Sequence, residues 1–129
     1  RTSPRHTTGI ENVVAAFRAY ARGDLCATAA IGLLVAHACW LFRPDFVDGF
    51  VATSDGFAWV DWAGAVAALD AGRLPCSAGE GTVLRVAASI TEGIPVDLRT
   101  LAGLDGRALG LVARAVLAAG GDGAGAASW

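Results

Sequence analysis

The chain has no lysine and no methionine, and charge is scarce: 17% of its 129 residues are charged, against about 25% in an ordinary globular domain. All ten Lys/Arg positions are arginine. Ala, Gly and Arg are abundant together, which points to a GC-rich coding sequence. The arginines are therefore not read one by one as bidentate anion ligands. Without lysine there is no GxxxxGK[ST] phosphate loop, and no GxGxxG follows a strand to open a helix. The net charge is −2. That leaves no basic footprint for nucleic acid or an anionic membrane surface, so neither partner is expected. The missing methionine suggests a start that is absent or processed. The polar opening Arg1–Thr8 has no apolar core of the signal-peptide kind.

Cysteine is sparse and odd in number: Cys26, Cys39 and Cys76. Such a set does not make a disulfide scaffold. Cys26 and Cys39 sit among apolar residues and read as small hydrophobes, which favours a reducing cytoplasm. The histidines are His6 and His37. A structural zinc site needs about four ligands, usually in close pairs. His37 and Cys39 are two apart on an expected helix and face different ways. No metal and no cofactor is expected.

Apolar residues, by contrast, make up 54% of the chain, above the usual roughly 45–50%. Much of the excess is alanine, which adds helix propensity with little buried area. Disorder is excluded for most of the chain. The expectation is one helical domain over residues 8–121, with flexible tails at 1–7 and 122–129, no internal repeat and no linker.

Thr8-Gly9-Ile10-Glu11 reads as a capping box, and Ile10, Val13, Val14, Phe17 and Ala21 follow at helical spacing. Helix one is expected over about 9–22, stopped by Gly23. Asp24 can cap a second helix. From Leu25 to Phe42 the chain is apolar and without formal charge. It is short for a membrane span and has no flanking positive cluster, so it is expected as a buried central helix that ends at Arg43-Pro44. Phe46–Thr53 and Phe57–Trp62 are rich in aromatic and β-branched residues around Ser54-Asp55-Gly56. Asp-Gly there predicts a hairpin with a type I′ turn. Further helices are expected over Ala63–Ala71, after the capping box Ser77-Ala78-Gly79-Glu80, from Asp97 to about Ala102, and over Arg107–Ala119 behind Asp105. The fold class is thus mainly α: five or six helices with one two-stranded antiparallel hairpin at about 46–62.

The stretches Gly72-Arg73-Leu74-Pro75-Cys76-Ser77, Leu84-Arg85-Val86-Ala87-Ala88-Ser89 and Ile94-Pro95-Val96-Asp97-Leu98 resemble a segment of uncharacterised small proteins of GC-rich bacteria. The resemblance covers about residues 72–120. It implies a structural unit there and brings no activity, ligand or site residue.

Four constellations bear on function. Leu98–Leu117 can be laid on a helix-turn-helix, with Ala102 at the small position and Gly106 at the turn. Asp105 and Arg107 stand where apolar residues belong, and only Arg107 and Arg114 offer cations to a phosphate backbone. Cys76, before a helix start, is placed for a lowered pKa, with His37 as a conceivable base. Asp45, Asp48, Asp55 and Asp61 lie on or beside the hairpin, where two brought together could shift each other's pKa. Turn and cap roles account for Asp55 and Asp61. Finally, Trp40, Phe42, Phe46, Phe50, Phe57, Trp59 and Trp62 cluster mid-chain. They read as core packing, and Phe50, Trp59 and Trp62 as a candidate interface for edge-to-edge pairing of two hairpins in a homodimer.

No catalytic residues are assigned. The expected function is a non-enzymatic interaction or regulatory module that self-associates, with a protein partner possible in principle. The alternatives are a helix-turn-helix DNA-binding regulator using 98–117 and a small enzyme or ligand-binding protein with an apolar pocket.

Overall fold

Helix α2, Leu25–His37, lies at the centre because its sequence leaves it no solvent face. Ala29, Ala30, Ile31, Gly32, Leu33 and Leu34 are all buried, and a helix apolar all round must be covered on every side. The computed structural model describes residues 2–122, with side chains from Ile10 onward. Around α2 pack α1 (Thr2–Ala21), α5 (Ala78–Glu92) and α6 (Gly106–Ala119). Helices α3 (Pro44–Phe50) and α4 (Trp62–Asp70) flank a hairpin of β1 (Val51–Ser54) and β2 (Phe57–Val60). Two short 3-10 turns, Trp40–Phe42 and Leu98–Gly103, complete the described chain. It is mainly α with one antiparallel hairpin, as the sequence predicts. No helix among the described residues is long and apolar enough to cross a membrane.

The caps follow the sequence. Asp24, Asp61, Asp97 and Asp105 each accept a backbone N–H at the start of their helix or 3-10 turn. Ser77 and Glu80 close both halves of the capping box. Asp55 (φ 52°) and Gly56 (φ 84°) both have positive φ, which is the type I′ turn that Asp-Gly predicts. The register pairs Val51 with Val60 and Ser54 with Phe57.

Three boundaries differ from expectation. The Thr8–Glu11 pattern does not open a helix, because α1 already runs from Thr2. Pro4 falls within that first turn, where its missing N–H leaves no helical bond unmade. Residues 2–7 therefore continue the helix, and the expected tail at 122–129 lies, from 123, outside the described residues. The second difference is at the end of α2, which stops at His37 instead of running to Phe42. Ala38 turns left-handed (φ 59°) and its N–H bonds back to Leu34. The chain then swings Trp40 into the core, where it is fully buried, and its indole N–H donates to the Glu80 carbonyl at 3.0 Å. Third, residues 46–50 are helical, not strand. Pro44 sits at the first helical turn, a position its fixed φ suits. Phe46 and Phe50, four apart, then share one face with ring centroids 6.2 Å apart. The hairpin is confined to residues 51–60.

Candidate functional site

The last turn of α1 fixes the first wall of a cleft. Phe17 and Ala21 belong to the apolar stripe of α1 and are buried. Tyr20, three residues after Phe17, stands at the edge of that stripe and remains 57% exposed. Strand β2 continues that wall. Its Ala58 and Val60 are buried, so the pleat turns Trp59 to the other face, where it is half-buried. Tyr20 and Trp59 meet with ring centroids 5.3 Å apart and planes 30° from parallel, within the usual aromatic-pair range of about 4.5–7 Å. Trp62, at the first turn of α4, also lines the cleft and is buried.

The polar part of the lining comes from helix ends. Asp24 precedes α2, and Thr91 and Glu92 end α5. One Asp24 oxygen accepts the Ala27 N–H at 2.9 Å. Among the described residues, no arginine lines the cleft. Its volume is about 310 Å³, at the lower end of the range of about 300–1,000 Å³ that small-molecule sites occupy.

The structure separates the residues of the expected interface. Trp62 is 8% exposed and belongs to the core. Trp59 forms the cleft wall. Phe50 is partly buried against the core beside Phe46. The hairpin carboxylates take local roles. Asp45 pairs with Arg43 at 2.6 Å, and that guanidinium holds the carboxyl below its ordinary range. Asp61 caps α4, Asp55 forms the turn, and Asp48 is exposed.

The expected lowering of the Cys76 pKa is reversed. Partial burial, and then the nearby Glu80 carboxylate, push the thiol up. Cys39 is pushed up to about 11 for the same two reasons, and its thiol donates to Glu80 at 3.6 Å. His37 is lowered, first by desolvation and then by the charge of Arg107. Its Nδ1 is buried without a hydrogen-bond partner. Among the described residues, no three His, Cys, Asp or Glu side chains come together as metal ligands.

Residues 98–117 form a 3-10 turn followed by α6. The 3-10 turn contains no buried residue. Helix α6 presses Ala108, Leu111, Val112 and Ala115 into the core, and Arg107 donates to the Ala36 carbonyl at 2.7 Å. The first element of the pattern is thus a 3-10 turn, not an α-helix, with Leu101 partly buried against the core.

Sequence reasoning singled out Trp59 but passed over Tyr20, Asp24 and Glu92 as cleft residues. The signal available was the position of Tyr20, at the margin of the α1 stripe and too large to be an incidental surface residue. Comparison of the chain with family models, curated proteins and solved structures returned no match.

Proposed function

We propose that this chain is a non-enzymatic binding module whose recognition site is the cleft between the end of α1, strand β2 and the end of α5. The observation that carries this reading is the Tyr20–Trp59 wall standing open beside a concave space of about 310 Å³. Aromatic rings at a concave surface supply large contact area at low entropic cost. The other reactive side chains support the reading by what they already do. The thiols of Cys39 and Cys76 are raised, not activated, and Asp24, Asp61, Asp97 and Asp105 are engaged as caps. Three free cysteines favour a reducing compartment, the cytoplasm.

A small-molecule fragment screen by protein-observed NMR tests this. Saturable shifts centred on Tyr20 and Trp59, weakened in Trp59→Ala, are expected. Binding elsewhere, or none at millimolar concentration, overturns it.

A second reading is self-association, and α6 favours it. Its outer face carries Leu109, Ala113, Val116 and Leu117, spaced along one side and all exposed. That face is a better homotypic surface than the hairpin, whose β1 is four residues long and ends in Thr53 and Ser54. Short polar edges resist strand pairing.

A further inference from the structure

We infer that the α1–β2–α5 cleft binds a methylated ammonium group. The inference rests on the binding-module reading and names its ligand class. Two properties of the lining exclude most alternatives. First, among the described residues the cleft carries two carboxylates, Asp24 and Glu92, and no arginine. An anionic ligand would be repelled by both carboxylates, and a neutral one would leave Glu92 unused. Second, the walls are rings. Tyr20, Trp59 and Trp62 all line this single small space, with Tyr20 and Trp59 in contact, and the negative face of an aromatic ring attracts a cation, tryptophan most strongly.

Helix ends add to the same sign. The final turns of α1 and α5 both line the cleft, and helix C-termini carry partial negative charge. Two helix N-termini also border the cleft, those of α2 and α4, and each is already met by its capping carboxylate, Asp24 and Asp61. A primary ammonium would need hydrogen-bond acceptors on all three protons and is strongly hydrated. A methylated head is larger, less hydrated and better matched to rings than to oxygen atoms. The Glu92 and Asp24 carboxylates then supply charge without having to touch it.

Isothermal titration with choline, with its neutral isostere in which carbon replaces nitrogen, and with the amide of trimethyllysine tests the inference. Choline or the trimethyllysine amide is expected to bind at least about tenfold tighter than the isostere, the equivalent of one to two cation–π contacts. The tighter of the two cations tells whether the head arrives free or on a peptide. Tyr20→Ala is expected to weaken cation binding by about fivefold to tenfold, and this half-exposed side chain can be truncated without opening the core. Glu92→Gln is expected to weaken it by about threefold and to flatten its salt dependence. Circular dichroism confirms that each variant folds. Equal binding of choline and the isostere, or cation binding indifferent to both Tyr20→Ala and Glu92→Gln, overturns the inference and leaves the cleft reading in place. The same holds if neither cation binds while fragments still occupy the cleft. If fragments also fail, the cleft reading itself falls.

Discussion

Single residues in this chain hold positions that their type does not favour, and each makes a measurable difference. Ala38 is left-handed at φ 59°, where glycine is the usual helix terminator and a Cβ costs roughly 1–2 kcal/mol. Ala38→Gly is therefore expected to stabilise the protein by about 1 kcal/mol once the extra unfolded-state freedom of glycine is offset. A urea titration showing no gain, or a loss, would count against strain at this residue. His37 is the second case. Burial and Arg107 depress its pKa below the ordinary 6.5, and Glu80 and Asp105 oppose them only in part. The folded state thus binds the His37 proton less readily than the unfolded state. Stability is full above 6.5 and falls as pH drops through and below that value. The depressed carboxylates of Asp45, Glu80 and Asp97 act only lower, below about 4.5. His37→Leu is expected to remove the slope between those two windows in a series of thermal melts. A slope of unchanged size would mean that another group titrates there.

Elements were legible where a side chain announces them locally. The caps at Asp24, Asp61, Ser77 and Asp105 and the Asp55-Gly56 turn are short-range chemistry, and the structure has them as read. The ends of α2 and the nature of residues 44–50 were not legible in the same way, because they are settled by distant partners. Trp40 leaves the α2 axis to reach Glu80, forty residues away. Phe46 and Phe50 are compatible with strand alternation and with one helical face alike, and only Pro44 at the first turn distinguishes the two. The cleft was legible least of all. Its walls come from the end of α1, from β2 and from the end of α5, and no local pattern joins them. Glu80 shows how much one element boundary can carry. It accepts the Ser77 N–H at 2.8 Å and the Cys39 thiol, while its carbonyl accepts the Trp40 indole. Ser77→Ala is expected to cost about 1 kcal/mol, the usual value of an N-cap, in denaturant melts. Glu80→Gln keeps the cap but removes the charge beside Cys39. The thiol should then titrate below its present value of about 11, yet still above the ordinary 9.0, because burial remains the first cause of the shift. Alkylation rate against pH, in a background with Cys26 and Cys76 replaced by serine, measures it. An unshifted profile would show that desolvation acts alone.

At the scale of the whole molecule, apolar surplus meets a limited interior. The core closes over α2, yet Leu109, Val116 and Leu117 stay 43–55% exposed on α6. Helix α6 spends one face on α2 and α5 and presents the other to solvent. No acidic side chain interrupts that outer face, and Arg107 is turned back onto Ala36. An uncharged helical face of this length is suited to a two-fold, antiparallel encounter with its own copy. The hairpin offers less, since Trp62 is in the core, Trp59 walls the cleft and Phe50 packs on Phe46. Light scattering over a dilution series is therefore expected to show a dimer that Val116→Glu converts to monomer. Asp or Lys at Thr53, on the free β1 edge, should leave the dimer intact. The converse, a dimer broken by Thr53→Lys and untouched by Val116→Glu, would return the interface to the hairpin. A monomer at every concentration would leave the α6 face without a homotypic role and make the cleft the one recognition surface proposed for the molecule. Because no residue of α6 is among those lining the cleft, the two surfaces are separable. Val116→Glu should leave choline binding unchanged, and Tyr20→Ala should leave the solution mass unchanged.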